Sequence, residues 1–241
     1  MIKKRAFIFS LVLICIKVYS QENKLYQTGL TAEQNLNAIG NLTPYTSGGM
    51  GFDSRYEGIK GSPRLFDTLM PSLLKIKGQD SYIKLEANID LTTNSLIFMN
   101  PKKGKLFSIP SGNIKEVKID AEGKELLFRT AKTGYFERDI KEGTFYQVLK
   151  DGKNQFIKIP LKKLIAADYK DVYSEDRRYD EFKTYYKYYI MSSDSIFRQI
   201  QLNKKSMLKL FPDKKELINN AIGTKSYDNQ EDMVMDILNK L

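Results

Sequence analysis

The clearest signal along the chain is a period of two. Ile83, Leu85, Ala87, Ile89 and Leu91 alternate without error with Lys84, Glu86, Asn88 and Asp90, the pattern of a strand with one buried and one wet face. Asn94–Asn100 carries Leu96, Ile97, Phe98 and Met99, and Lys105–Ile109 follows the turn residues Pro101 and Gly104. Ile114–Ile119 alternates again, and Glu125–Thr130 follows the turn Asp120–Gly123. Phe145–Lys150 and Gln155–Ile159 flank Asp151-Gly152-Lys153-Asn154, and an Asp-Gly pair between two alternating runs is a strong hairpin signal. Residues 168–181 are charged and predict a loop. Phe182–Met191 and Ile196–Leu202, joined through Ser192–Ser195, predict a last hairpin. Such spacing predicts a mainly β protein: an antiparallel meander of roughly eight to ten strands forming a curved sheet, sandwich or open barrel.

The period changes to that of a helix at the end of the chain. A short helix over 204–211 stops before Pro212. Asp213 and Glu216 stand at capping-box spacing ahead of Leu217, Ile218, Ala221 and Ile222, with Gly223 as the stop. Asp228 and Glu231 repeat the box before Val234, Ile237, Leu238 and Leu241. Near the other end, Thr31 and Gln34 cap a helix over 32–39 ended by Gly40. The organisation read from these patterns is a signal peptide at 1–20, an irregular glycine-containing segment at 21–67, a β-meander domain at 68–202 and a helical segment at 203–241 packed on it.

The first twenty residues are set apart by their chemistry. Lys3, Lys4 and Arg5 precede an apolar run from Ala6 to Ile16, with Val18 and Ser20 at the positions before Gln21. This is the pattern of a secretory signal peptide cut after Ser20, which places the chain in the periplasm or outside the cell. Ile14 is too bulky to precede a lipidated Cys15. No other apolar run is long enough to cross a bilayer as a helix, so no transmembrane span is expected in the mature chain. The signal holds four basic residues and no acid, so the formal charge of +10 falls to +6 on its removal. That excess suits either solubility or contact with an anionic surface. Export argues against nucleic acid as a partner.

The sequence has no His, and its single Cys lies in the signal segment. The mature chain therefore has no disulfide, thiolate nucleophile, Cys/His zinc site or histidine base. Carboxylate chemistry survives. Asp53, Glu57, Asp67, Glu86, Asp90, Glu116 and Asp120 are the acids available to a two-carboxylate glycosidase, but four of them fall on polar strand faces, where solvation is the ordinary role. Ser47–Gly51 and Gly58–Gly61 lack the spacing of a phosphate loop, and the acidic turns lack that of a calcium loop. No cofactor is expected. Tyr185 and Tyr189 share one strand face and Tyr186 and Tyr188 the other. The run reads either as strand packing or as an aromatic face for a glycan, lipid or protein. Lysines cluster at 102–105, 162–163, 204–209 and 214–215.

The stretch Arg55-Tyr56-Glu57-Gly58-Ile59-Lys60-Gly61-Ser62-Pro63-Arg64-Leu65-Phe66-Asp67 resembles a segment found in uncharacterised secreted proteins of Bacteroidota-type bacteria, which carry a "YEG-x-x-GSP-x-L" stretch ahead of a β-meander. Ser95–Phe98, Phe145–Gly152 and the helical tail from Lys204 fit the same layout. Arg64 stands where an aromatic usually follows the proline. The resemblance implies export and a β-rich fold and brings no activity.

These observations converge on an exported, non-catalytic binding protein of the cell envelope or extracellular space, with an envelope protein as partner. Segment 45–66 is either the contact loop, with Arg55, Tyr56, Gly58, Gly61, Ser62 and Arg64 as candidate partner-binding residues, or a loop that closes one end of the sheet. A carrier holding a lipid in a curved sheet and a carboxylate-based glycoside hydrolase are the alternatives.

Overall fold

The computed structural model describes residues 28–47, 49–50, 56–137, 140–167, 179–191, 193–224 and 226–241; residues 1–20, where the sequence pattern predicts a signal peptide, lie outside them. The fold is mainly β. Eleven strands form one antiparallel sheet: β1 (Gly49–Met50), β2 (Met70–Ile76), β3 (Ile83–Asp90), β4 (Ser95–Asn100), β5 (Lys105–Pro110), β6 (Ile114–Ala121), β7 (Lys124–Thr130), β8 (Phe145–Lys150), β9 (Phe156–Ile165), β10 (Glu181–Met191) and β11 (Phe197–Ile200). The spatial order is β1-β5-β4-β3-β2-β6-β7-β8-β9-β10-β11. Two meanders, β2 to β5 and β6 to β11, are therefore joined back to back through the β2–β6 pair. Four α-helices are found among the described residues: α1 (Ala32–Gly40), α2 (Lys204–Leu210), α3 (Lys215–Thr224) and α4 (Gln230–Lys240).

The turns follow the sequence closely. Glu122 and Gly123 both take positive φ, 56° and 84°, in the β6–β7 hairpin, the backbone of a two-residue turn matched to strand twist. Asp90 closes the β3–β4 hairpin by accepting from the amides of Thr92 and Thr93, both at 2.9 Å. Thr31 and Gln34 form the reciprocal capping box of α1. The cap of α4 differs from the expected Asp228. Asn229 is extended and its side chain accepts from the amide of Asp232, because the helix begins one residue later than the acid spacing suggested.

One link bends the sheet. In a flat sheet β5 and β6 stand four strand spacings apart, about 19 Å, and the register offsets Pro110 from Ile114 by about nine residues, roughly 30 Å along the strands. Only Ser111–Asn113 joins them, and that link reaches about 14 Å. Strands β2 to β6 must therefore roll until the end of β5 meets the start of β6. The link carries the signature of that closure. The Ser111 amide donates to the Asn94 carbonyl at 3.1 Å, and the Lys77 amide donates to the Asn113 carbonyl at 2.9 Å, so three residues fasten both ends of the roll.

The rolled strands enclose Leu74, Ile76, Ile89, Leu96, Phe98, Ile109, Ile114, Val117, Ile119 and Phe128, each at most 1% exposed. The same face continues into the second meander. Val117, Phe128, Gln147, Lys158, Tyr188 and Ile200 stand in one cross-strand row. Over β9 to β11 that face is covered by the helices, whose Met207, Ile218, Ala221, Val234, Ile237 and Leu238 pack with Phe156, Ile190 and Ile200. Helices α2, α3 and α4 each bury one apolar stripe there, while Ile39 of α1 joins the first core. The opposite face carries Ile157, Ile159, Tyr189 and Phe197, with Phe136 and Tyr146 against them. Phe136 stacks on Phe197 at 5.0 Å and meets Tyr189 edge-on at 5.5 Å.

Gly143 approaches the Ser111 link so closely that a Cβ there would stand 2.4 Å from the Ser111 hydroxyl, at a φ of +81°. Gly143→Ala should cost about 1–3 kcal/mol of stability by urea denaturation, whereas Gly112→Ala, where a Cβ meets nothing within 4 Å, should stay within about 0.5 kcal/mol. Equal effects would show that neither the positive φ nor the close approach to Ser111 makes Gly143 costly to replace.

Candidate functional site

Segment 56–66 is tied down at both ends. The Lys60 amide donates to the Asp180 carbonyl at 2.8 Å and the Phe182 amide donates to the Lys60 carbonyl at 2.9 Å, a parallel bridge to the start of β10. Further along, the Leu65 amide donates to the Ile89 carbonyl and the Leu91 amide to the Pro63 carbonyl. The buried Asn88 side chain accepts from the Phe66 amide and donates to the Phe66 and Thr68 carbonyls. The segment is a strap between β10 and the end of β3. Gly61 belongs to that fit: φ is +82°, and a Cβ would lie 3.3 Å from the Phe182 carbonyl oxygen.

The sequence-predicted contact residues divide accordingly. Tyr56 packs edge-on against Phe182 at 5.2 Å. Tyr56, Gly61, Ser62 and Arg64 line a small hollow of about 140 Å³ with Asp90 and Ile97. The Ser62 hydroxyl accepts from the Arg64 amide, and Arg64 forms an isolated bridge with Asp90. Gly58 is exposed in a turn, with open space where a Cβ would stand. Arg55 lies outside the described residues.

Beyond the strap, β9 and β10 run on past their neighbours as a two-stranded ribbon. β8 pairs β9 only up to Lys158, and β11 pairs β10 only from Tyr188 onward. The β9–β10 ladder continues to Ile165 and Glu181. Five consecutive β10 residues, Lys183, Thr184, Tyr185, Tyr186 and Lys187, are exposed, so both faces of the strand are wet there. Tyr185 is 46% and Tyr186 48% exposed, and Leu164 across the ribbon is 44% exposed. The tyrosine run therefore divides along the strand as well as by face: Tyr189 is 1% exposed in the core, and Tyr188 is half-buried beneath α4.

The ribbon surface is basic. Lys158 and Lys162 share a face with Tyr186, and Lys163, Lys183 and Lys187 share the other with Tyr185. Lys158 stands 4.2 Å over the Tyr186 ring. At the base, Lys158 donates to Glu231 of α4 at 2.8 Å and the Tyr188 hydroxyl donates to the same carboxylate oxygen at 2.6 Å. Burial raises the Glu231 carboxyl, and Lys158 and Tyr188 outweigh it and hold the group below its ordinary range. This pair anchors the ribbon to the helical layer. Sequence pattern located the tyrosines and Lys162–Lys163. It could not show which tyrosines stay wet, because that depends on where β8 and β11 end.

A second polar cluster lies on the sheet face opposite the interior of the roll. Arg129 donates to both oxygens of Asp151, at 3.1 and 2.8 Å, and to Glu116 at 3.2 Å. Tyr82 donates to Glu116, and Gln155 donates to Asp151 at 2.8 Å. Arg129 holds the Asp151 carboxyl down. Burial raises Glu116, but Tyr82 and Arg129 bring it below its usual range. A glycosidase acid needs the reverse, a raised carboxyl. Among the described residues every resolved carboxyl shift is downward, and no group of three acids is placed to hold a metal. A hollow of about 670 Å³ lies at the edge of β11 against α2, where Arg198 is paired with Asp194. A more apolar one of about 410 Å³ lies beside α1, between Ile39, Leu85 and Met99. No described helix is long and apolar enough to cross a membrane.

The chain matches no family model, no curated protein and no solved structure.

Both Glu116 and Asp151 titrate lower in the folded chain, so their contribution is complete above the ordinary carboxylate range and is lost as pH falls through their folded values. The urea midpoint of the native chain should drop steeply between about pH 5 and pH 3. Arg129→Gln should lower the midpoint at neutral pH and flatten this acid limb. An unchanged limb in the variant would show that other groups carry it.

Proposed function

We propose that this protein is an exported, non-catalytic binding protein of the cell envelope or extracellular space, that its partner is another envelope protein, and that the β9–β10 ribbon with its strap is the contact surface. One observation carries the reading: five consecutive β10 residues are exposed on both faces, and two of them are large aromatics. An isolated two-stranded ribbon is marginal in water, and these residues add little to either core. The chain nevertheless fixes the ribbon at both ends, by Lys60 and Tyr56 against the start of β10 and by Glu231 at the base. Half-exposed tyrosines on a rigid frame, surrounded by lysines, supply contact area at low conformational cost. The strap residues Tyr56, Gly61, Ser62 and Arg64 adjoin the ribbon and belong to the same surface. Export rests on the signal pattern of residues 1–20.

The interior of the roll, where a carrier would hold an acyl chain, is filled by Leu74, Ile76, Ile89, Leu96 and Phe98. No observation favours lipid carriage or catalysis over recognition.

A photo-crosslinking residue at Tyr186 should capture a discrete protein in intact producing cells, and the same residue at the exposed Lys103 in the β4–β5 turn should not. Lys183→Glu combined with Lys187→Glu should abolish the adduct while leaving the urea midpoint within about 0.5 kcal/mol of native. Capture from Lys103 but not from Tyr186 would remove the ribbon as the contact surface.

A further inference from the structure

The two long edges of the ribbon differ in backbone chemistry. The Phe182 amide and Asp180 carbonyl point away from β9, toward Lys60. The Met191 amide points the other way, to Gln155. Along an antiparallel strand the two sides alternate, so even-numbered β10 residues present their peptide groups to the outer edge. Tyr188 and Ile190 use theirs with β11, and Phe182 uses its amide with Lys60. Thr184 and Tyr186 lie between, and no described residue pairs with their outward groups. On β9 the odd residues face β10 and the even ones face outward, as Lys158 does toward β8. Pro160 is one of these, and it has no N–H to offer. Ile159 and Pro160 are also buried. The β9 edge is therefore blunted and covered, while among the described residues the β10 edge is open between two fixed points, Lys60 at one end and β11 at the other.

What fits that edge follows from charge. Lys183 and Lys187 flank Tyr185 on one face, and Lys158 and Lys162 lie with Tyr186 on the other. Glu181 is engaged by Lys60 at 3.9 Å and Lys183 at 3.5 Å, and Glu231 by Lys158. Lys162, Lys163 and Lys187 make no ion pair with a described residue. A second copy of the ribbon would bring lysine against lysine, which disfavours self-pairing. An acidic segment meets the opposite condition.

Resting on the reading of the ribbon as the contact surface, we propose that the outer edge of β10 at Thr184–Tyr186 receives an extended acidic segment of a partner protein as an added strand. Main-chain bonds to Thr184 and Tyr186 hold it. Its alternate side chains are acids facing Lys183 and Lys187, and the intervening apolar ones lie against Tyr186.

The probe is a short fluorescent peptide of alternating aspartate and valine, with a lysine–valine peptide as control, titrated into the chain beginning at Gln21. The aspartate peptide should bind, and the lysine peptide should not. Binding should slow hydrogen exchange at the Thr184 and Tyr186 amides. Thr184→Pro removes one outward donor at an edge position and leaves the β9 ladder untouched; it should weaken binding about tenfold or more with the urea midpoint retained. Lys183→Glu with Lys187→Glu should reverse the preference between the peptides. Binding that survives Thr184→Pro but is lost on charge reversal would overturn strand addition in favour of plain charge attraction. Absence of binding to the aspartate peptide would overturn the acidic partner. If crosslinking from Tyr186 in cells persists in either case, the ribbon remains the contact surface and only its mode of recognition fails; if that crosslink is absent too, both readings fail.

Discussion

The architecture depends on the shortness of the link between β5 and β6. Three residues cannot span the width of a flat five-stranded sheet, so strands β2 to β6 coil until the ends of the roll meet at Ser111–Asn113. Everything apolar in the first half then has an inside to face. The alternation of β3 becomes a wall of the core, and the inner row of β6 and β7 carries the same face onward into the second meander. Over β9 to β11 that face would be wet without a cover. The C-terminal helices supply it. The two cores are thus one continuous surface, closed first by curvature and then by helices.

An open sheet of this length has two terminal edges and a risk of pairing with other chains. Both edges are shielded by short pieces of the chain itself. β1 pairs with β5 at Gly49 and Met50. At the far side the Glu137 amide donates to the Phe197 carbonyl and the Phe197 amide to the Tyr135 carbonyl. The ribbon is a departure from this economy of edges. Its strands outrun β8 and β11, and the strap engages only the first residues of β10.

The hairpins were legible because each turn has its own chemistry. Asp120–Gly123 and Asp151–Asn154 bear the residues that positive φ demands, and the flanking runs alternate. β2 was hidden because Met70–Ile76 does not alternate. Leu73 and Leu74 are both buried, at 2% and 0%, since one side of the strand faces the interior and the other is covered as well. The extent of β9 was hidden by Pro160, which reads as a stop in sequence but sits where no partner needs its missing donor. The Arg129 cluster depends on register. Glu116 and Arg129 are thirteen residues apart in sequence and directly opposed across the sheet, and no local pattern announces that. Segment 45–66 left two roles open, contact loop or closure; over 56–66 the hydrogen bonds make it a fastening between β10 and β3 that also borders the ribbon.

Rigidity and exposure ordinarily oppose each other. A strand wet on both faces has little apolar burial to order it, and a strand ordered by burial has little surface to offer. The ribbon escapes this because its order is imposed from its ends. Below, Tyr189, Ile190 and Phe156 are locked in the two cores on either side of the sheet, and Glu231 clamps Lys158 and Tyr188. Above, the Lys60 bridge and the Tyr56–Phe182 contact hold the start of β10. Tyr185 and Tyr186 between them are 46% and 48% exposed and bury little in either core. The asymmetry introduced by Pro160 then gives the surface a direction: one edge has lost a donor, and the other keeps its peptide groups in register with lysines on both faces.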